Sequence, residues 1–234
     1  MGMLDPLDYF SPLDLGAVAL LLAAWLLTSF AIENAPKRRP SVSVLMARYR
    51  RIWMRQFVRR DPRIFDSQIV GSLRQSTAFF ASTSMIAIGG IFALLGNPER
   101  LRGVAEDLSP GTDPVLVWEA KLLLILLFAA NAFLKFVWSN RLFGYCSVMM
   151  GAVPNDTSPL AFARAAKAAE LNILAARSYN RGLRSVYFGI GSTAWLLGTV
   201  PLLIATLISS AVILRREFTS RSREALLAVE PEGD

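Results

Sequence analysis

Four long apolar runs limit what this chain can fold into. They cover approximately residues 14–33, 72–95, 118–138 and 186–214. A helix of about 20 consecutive apolar residues is long enough to cross the roughly 30 Å hydrocarbon core of a bilayer. With 53% hydrophobic residues and a mean hydropathy of +0.41, the chain is more apolar than a soluble domain of 234 residues needs to be. The sequence therefore predicts an all-α membrane protein, with four transmembrane helices in a single domain, residues 1–234.

The last apolar run differs from the others in length. At about 29 residues, 186–214 is longer than one perpendicular crossing requires but too short for two. We therefore predict one tilted or kinked helix, with Pro201 as the site of the kink. Residues 215–234 are expected to form a polar tail.

A basic, aromatic segment separates the first two apolar runs. Wound as a helix, residues 42–60 place apolar and aromatic side chains on one face and arginines on the opposite face. Arginine and tryptophan are also used to bind nucleic acid, but attachment to two membrane spans favours contact with lipid. We expect the aromatic face to lie at the headgroup boundary of anionic lipid, and no nucleic-acid partner. The candidate headgroup contacts are Arg48, Arg51, Arg55, Arg59 and Trp53.

The distribution of lysine and arginine predicts the orientation. Eleven lie within residues 37–74 and six within 141–184, whereas the acidic loop after the second run holds two. By the positive-inside rule, both basic segments are cytoplasmic, including the helix at 42–60 and a second helix predicted at 158–180. Four spans then place both termini outside. That topology leaves four arginines of the tail on the side that the same rule disfavours: Arg215, Arg216, Arg221 and Arg223.

The chain lacks the residues on which many active sites depend. It has no histidine and one cysteine, Cys146, which excludes histidine-assisted nucleophiles, intramolecular disulfides and zinc sites of several thiolates. We predict no cofactor, no metal and no enzymatic activity. The remaining alternative of this class is a lipid-modifying enzyme that uses the carboxylates Glu106, Asp107 and Asp113, but a solvated acidic loop is the ordinary explanation of these residues and is preferred.

Polar residues inside the apolar runs form a candidate intramembrane site: Ser76, Thr83, Asn131 and Lys135. In the second run, a stripe of small residues that includes Ser72 and Gly90 suits close packing against another helix, or else a polar lining. Asn131 suggests a hydrogen bond between helices. Lys135 lies close to Trp138 and can extend its ammonium to the interface, or else line an anion path with Lys121.

Charged residues next to the spans suggest ion pairs. Arg63 and Asp66 precede the second run, and Arg181 and Arg184 precede the fourth. Pairing among these four side chains would connect the two basic segments.

Six segments, in chain order, resemble a family of bacterial integral membrane proteins catalogued as domain of unknown function number 599. The resemblance implies a four-span protein of the bacterial inner membrane and implies no activity. The similar segments are residues 63–66, 79–84, 119–121, 132–138, 180–184 and 216–218, which read RIFD, FFASTS, EAK, AFLKFVW, NRGLR and REF.

Two functions remain in view. The first is a non-enzymatic scaffold or accessory subunit that packs against itself, as a homo-oligomer, or against another membrane protein. The alternative is a small channel or transporter with a polar lining from the second and third spans.

Overall fold

The computed structural model describes residues 9–97, 99, 101–103 and 114–228, and within them the secondary structure is helical and contains no strand. Four segments are long and apolar enough to cross a membrane: Pro12–Glu33, Ile64–Leu95, Val115–Gly151 and Thr199–Leu227. This confirms the predicted fold class. The helices are α1 (Pro12–Glu33), α2 (Val42–Val58), α3 (Ile64–Leu95), α4 (Val115–Gly151), α5 (Pro159–Thr193), α6 (Thr199–Phe218) and α7 (Arg221–Leu227).

Serine side chains begin several of these helices. The hydroxyls of Ser11, Ser41 and Ser158 each accept a hydrogen bond from a backbone N–H in the first turn of α1, α2 and α5. Such caps satisfy one of the four N–H groups that a helix start leaves without a partner. In α5 the next residue is Pro159, whose missing N–H costs nothing at this position.

The two longest helices, α4 and α5, form an antiparallel hairpin at the centre of the molecule. Hydrogen bonds join them along their length, with Ser178 donating to the carbonyl of Lys135 at 2.9 Å and Ser139 donating to that of Ala175 at 2.7 Å. At Gly182 the helices approach so closely that a Cβ would lie 2.7 Å from the ring of Phe136. The other helices pack around this hairpin.

On one side of the hairpin, α1 and α6 lie side by side and run in the same direction. At their first turns, Thr199 and Trp195 donate to the carboxylate of Asp14. At their last turns, Ile32 and Phe218 belong to the same apolar cluster. The described chain therefore enters the bundle at one end and leaves it at the other, whereas a four-span topology with both termini outside predicts that α1 and α6 run in opposite directions.

The predicted fourth span is not one helix. The helix expected at 158–180 continues to Thr193, and a 3-10 turn at Ala194–Leu197 and Gly198 interrupt the run at 186–214. Gly198 has φ +124°, a conformation that side chains disfavour, and so it ends the segment. Pro201 follows within the first turn of α6, where no N–H donor is required, so it begins a helix instead of kinking one.

The α2 helix packs against the first half of α5 and against α4. Its buried side chains, which include Met54, Phe57 and Val58, share a core with the alanine face of α5 around Ala165 and Ala168. The apolar face of α2 thus meets protein. Met46 of the same helix is exposed, and the expected contact of the aromatic face with lipid stays a prediction.

Candidate functional site

A cavity of about 590 Å³ lies at the end of the bundle where α2 docks. It is enclosed by α2, α3 and α5, with Phe143 of α4 beneath and the last turns of α1 and α6 at its edge. Charged and hydroxyl side chains supply most of its polar lining: Glu33, Ser43, Arg50, Arg51, Ser76, Thr77, Arg177, Tyr179, Arg184, Arg216 and Glu217.

A buried ion network forms one wall of this cavity. Glu33, at the end of α1, accepts from Arg184 Nη2 at 2.5 Å and from Arg181 Nε at 2.8 Å. Arg184 also donates from Nε to the hydroxyl of Ser29 at 2.9 Å. The side chains of Arg184 and Glu33 are only 5% and 13% exposed. The network therefore fixes α1 to α5 through charges that water hardly reaches.

The end of α6 closes the cavity through Glu217. Its carboxylate accepts from the backbone N–H and the hydroxyl of Ser43, both at 3.0 Å, at the first turn of α2. A carboxylate is stabilising there because the N–H groups of a helix start carry partial positive charge. In α7, Arg223 donates to the carbonyl of Pro40 at 2.9 Å. The C-terminal segment is thereby joined to the loop before α2.

Arg50 is the basic residue of α2 that points into the molecule. It donates to the amide oxygen of Asn172, a fully buried residue of α5 whose amide also contacts the thiol of Cys146 at 3.6 Å. Burial lowers the pKa of the Arg50 guanidinium from its usual range. Within the described ranges, no carboxylate forms an ion pair with Arg50.

The predicted headgroup contacts divide into two groups. Arg48, Arg51, Arg55 and Arg59 are exposed along the outer face of α2, and Arg51 pairs with Glu170 at 2.7 Å. Trp53 instead turns inward and donates from Nε1 to Asp66 at 2.6 Å. The indole N–H of Trp53 is thus engaged by one oxygen of a buried carboxylate, and contact of its partly exposed ring with lipid stays a prediction.

The predicted intramembrane site is not assembled. Ser76 shares a hydrogen bond of 3.1 Å with Tyr179 beside the large cavity, whereas Thr83 is exposed and donates to a carbonyl of its own helix. Asn131 donates to Ser185 of α5 at 2.7 Å, which is a hydrogen bond between helices. Asn131 and Lys135 line a separate cavity of about 380 Å³, against α1. The four residues thus occupy three different places.

Apart from Ser76, which shares a hydrogen bond with Tyr179 of α5, the stripe of small residues on α3 does not pack against another helix of the described chain. Ser72, Thr83, Ala87 and Gly90 are exposed. The side of α3 that faces α4 carries a different set of small and polar residues, because α3 contacts the bundle along that one side. The buried positions of α3 are Asp66, Val70, Thr77, Ala81 and Ser84.

The ion pairs predicted next to the spans form with other partners. Asp66 pairs with Arg60 at 2.5 Å. Arg63 donates to the carbonyls of Val58, Val153 and Pro154, at 3.2, 2.8 and 2.8 Å, and so links the α2–α3 corner to the α4–α5 loop. Arg63 does connect the two basic segments, but through backbone carbonyls.

Two acidic residues of the site, Glu33 and Glu217, were not predicted from the sequence. Each is a single carboxylate at the end of an apolar helix, at the same end of the molecule as an excess of arginine. A carboxylate in that position is stable only when a cationic group or an N–H group is its partner. The isolated carboxylate beside many arginines was therefore the signal by which the sequence could have identified both residues.

Most of the acidic loop lies outside the residues that the structure describes. Glu106, Asp107 and Asp113 are not among the described residues, so their predicted role is not placed by the structure. In the part of the chain that is described, no group of three or more cysteine, aspartate or glutamate side chains could hold a metal ion.

Comparison with known proteins identifies the family. No curated protein and no solved structure matches the chain. One family, described as "Protein of unknown function, DUF599", matches residues 16–222, which include the ion network, the cavity and α2. The chain of 234 residues therefore belongs to the DUF599 family.

Proposed function

We propose that this chain is an integral protein of the bacterial inner membrane that acts as a non-enzymatic scaffold or accessory subunit. It presents an arginine-rich face to the anionic cytoplasmic leaflet and binds a second copy or another membrane protein through its outer helix faces.

This proposal is supported mainly by the polar side chains within the bundle, which bond to one another across helices. Glu33 pairs with Arg181 and Arg184, Asp14 accepts from Thr199, and Asn131 donates to Ser185. Each of these groups connects two helices of the bundle. Polar side chains that satisfy one another stabilise helix association in a membrane. This pattern is typical of a structural bundle.

The orientation follows from charge together with the helix directions. The end of the bundle that carries α2 also carries Arg215, Arg216, Arg221 and Arg223, so every large group of basic residues is on one side and that side is cytoplasmic. The chain begins outside and ends inside. This requires α5 to cross the membrane beside α1, since Arg184 lies at Glu33 and Trp195 at Asp14. The buried charges of α5 explain why its hydropathy is low for a span.

The exposed arginines of α2 are the proposed contacts with anionic lipid. Arg48, Arg51, Arg55 and Arg59 form one outer row, since their spacings of three and four residues place them on one face. Each basic residue near an anionic surface contributes about 1 kcal/mol of attraction. The contact is therefore electrostatic and does not require the aromatic face.

Labelling of single cysteines tests the orientation. Cys146 is buried and is first replaced by serine; Tyr9→Cys, Gln56→Cys and Ala225→Cys, all at exposed positions, are then introduced one at a time. A membrane-impermeant maleimide added to intact cells is expected to label Tyr9→Cys only. The other two are expected to react after permeabilisation. Labelling of Ala225→Cys in intact cells would contradict the proposed topology.

A flux measurement on the same protein separates the scaffold from the channel. Reconstituted in liposomes, the protein is expected to release no more K⁺, Cl⁻ or entrapped dye than protein-free vesicles. Asn131→Leu provides the control, because it removes a polar group from the bundle without changing charge. A leak that depends on Asn131 would replace the scaffold proposal by the channel.

A further inference from the structure

The large cavity has the dimensions and the mixed chemistry of a ligand site. Its volume of about 590 Å³ falls within the range of roughly 300–1,000 Å³ that small-molecule pockets occupy. Met46, Leu73 and Phe143 supply an apolar part of the lining, and the hydroxyls of Ser76 and Tyr179 supply a polar part. A bare inorganic ion would not fill such a space.

The charges that line the cavity favour an anion. Its acidic groups are already engaged, Glu33 by two arginines and Glu217 by the first turn of α2. Arg50, Arg177 and Arg216 form no ion pair with any described residue. Arg50 is the most enclosed of the three, and among the described residues its hydrogen-bond partner is the amide oxygen of Asn172. A guanidinium held out of water without a counter-ion is costly, and an anionic ligand would relieve that cost.

The length of α3 indicates how deep the cavity lies in the membrane when the protein is inserted as proposed. The helix has 32 residues, whereas about 20 cross the hydrocarbon core, so roughly 12 extend beyond it on the side of α2. Ser76 and Thr77 are the thirteenth and fourteenth residues of this helix. The cavity therefore lies at the depth of the lipid headgroups.

The arrangement of the helices leaves the cavity open toward the leaflet. The α2 helix packs on α5, and α3 packs on α4, so the cavity occupies the gap between α2 and α3. Val44 and Met46 of α2 are exposed beside this gap. A phospholipid could enter sideways, with its headgroup leading and its chains in the bilayer.

We propose that this cavity binds the phosphate-bearing headgroup of an anionic phospholipid. Arg50 and Arg177 bind the phosphate, and the hydroxyls of Ser76 and Tyr179 bind the polar part beyond it. Arginine is suited to this role because its planar group donates two parallel hydrogen bonds to phosphate. The inference rests on the proposed insertion in the membrane and adds a specific lipid site to the exposed arginine row.

The test measures binding to purified full-length protein in a neutral detergent. The probes are dihexanoyl phosphatidylglycerol, dihexanoyl phosphatidylcholine and glycerol 3-phosphate, at about 0.5 M salt to screen exposed charges. Arg50→Gln is compared with Arg74→Gln, which removes the same charge from an exposed position of α3 that is outside the cavity lining and outside the arginine row of α2. Ala47→Phe is a second variant, which narrows the cavity and keeps every charge.

The expected result is saturable binding of the phosphatidylglycerol, weakened about tenfold or more by Arg50→Gln and by Ala47→Phe. Arg74→Gln is expected to bind as the unaltered protein does. Thermal unfolding without ligand shows that each variant is folded. If glycerol 3-phosphate binds as tightly as the lipid, the cavity is still a phosphate site, but the proposal that the phosphate belongs to a lipid is overturned.

Equal losses from Arg74→Gln and Arg50→Gln would overturn the cavity as the binding site, as would equal binding of phosphatidylcholine. Neither result affects the scaffold, because orientation and flux are measured separately in membranes. In the same way, a failed labelling experiment leaves the binding measurement in detergent intact.

Discussion

Replacing Glu33 by glutamine tests whether the buried ion network holds the bundle together. The change keeps the shape of the side chain and removes the charge that faces Arg181 and Arg184. Arg184 is then left with a side chain that is 5% exposed, without its paired carboxylate, and the nearest remaining negative charge is the more distant Glu217. The matched control is Glu170→Gln, which removes the partner of Arg51 from a pair whose side chains are 50% and 55% exposed.

The two substitutions differ in magnitude because the two pairs differ in exposure. Breaking one partner of a buried pair costs about 3–5 kcal/mol, since the remaining charge stays out of water. We expect about 3 kcal/mol for Glu33→Gln, at the lower end of that range, because the new amide oxygen still accepts one hydrogen bond from Arg184. An exposed pair contributes less than about 1 kcal/mol, so Glu170→Gln should be nearly neutral.

Unfolding in mixed detergent micelles measures both changes. The free energy of unfolding is obtained from titration with a denaturing detergent, followed by tryptophan fluorescence and by helical circular dichroism. A third variant joins Glu33→Gln to Arg184→Met, which removes the stranded charge and keeps an unbranched side chain. This double variant should recover most of the loss.

Similar losses from Glu33→Gln and Glu170→Gln would refute the reasoning, since burial would then make no difference. A double variant less stable than Glu33→Gln alone would show that Arg184 acts through contacts other than its charge.

Two further substitutions test contacts within the bundle, both by the same unfolding titration. Gly182→Ala places a methyl group 2.7 Å from the packed ring of Phe136, and the resulting loss of about 1–3 kcal/mol should exceed the gain of up to about 1 kcal/mol in helix propensity. Gly144→Ala, which has nothing within 4 Å, should be neutral or stabilising, and equal effects at the two glycines would refute the close approach. Arg63→Ala removes three hydrogen bonds to carbonyls and should cost about 2 kcal/mol or more, whereas the exposed Arg59→Ala should stay within about 0.5 kcal/mol. Equal losses at the two arginines would show that Arg63 does not hold the corner.

The sequence was sufficient where one physical signal dominates. The apolar runs near α1, α3 and α4 exceed the length of a crossing and contain few charges, so hydropathy alone locates them. The start of α5 was equally clear, because Ser158 and Pro159 combine a cap with the residue best suited to a first turn.

Hydropathy gave the wrong bounds for the fourth predicted span because this part of the chain contains a buried charge. Residues 181–193 belong to a helix whose arginines are neutralised by Glu33, a partner that is about 150 positions away in the chain. A window average treats those arginines as exposed and shifts the predicted span forward, across the turn at Gly198. The position of Pro201 then reinforced the error, because a proline in the first turn and one in a kink look alike in sequence.

The partner of an amphipathic helix is also absent from local sequence. The pattern of α2 shows that one face must be covered, but it does not distinguish lipid from the alanine face of α5. The candidate polar residues illustrate the same limit, since Ser76 and Thr83 are seven residues apart on one helix and yet face a cavity and the surface.

The bond between Ser43 and Glu217 has a consequence for synthesis. The two residues are 174 positions apart, and a ribosome adding about 5–20 residues per second needs roughly 9–35 s to proceed from one to the other. Throughout that interval α2 has been made but the carboxylate that caps it does not exist. Closure of the arginine-rich end is therefore among the last steps of biogenesis. A chain that stops short of Glu217 lacks the group that completes it.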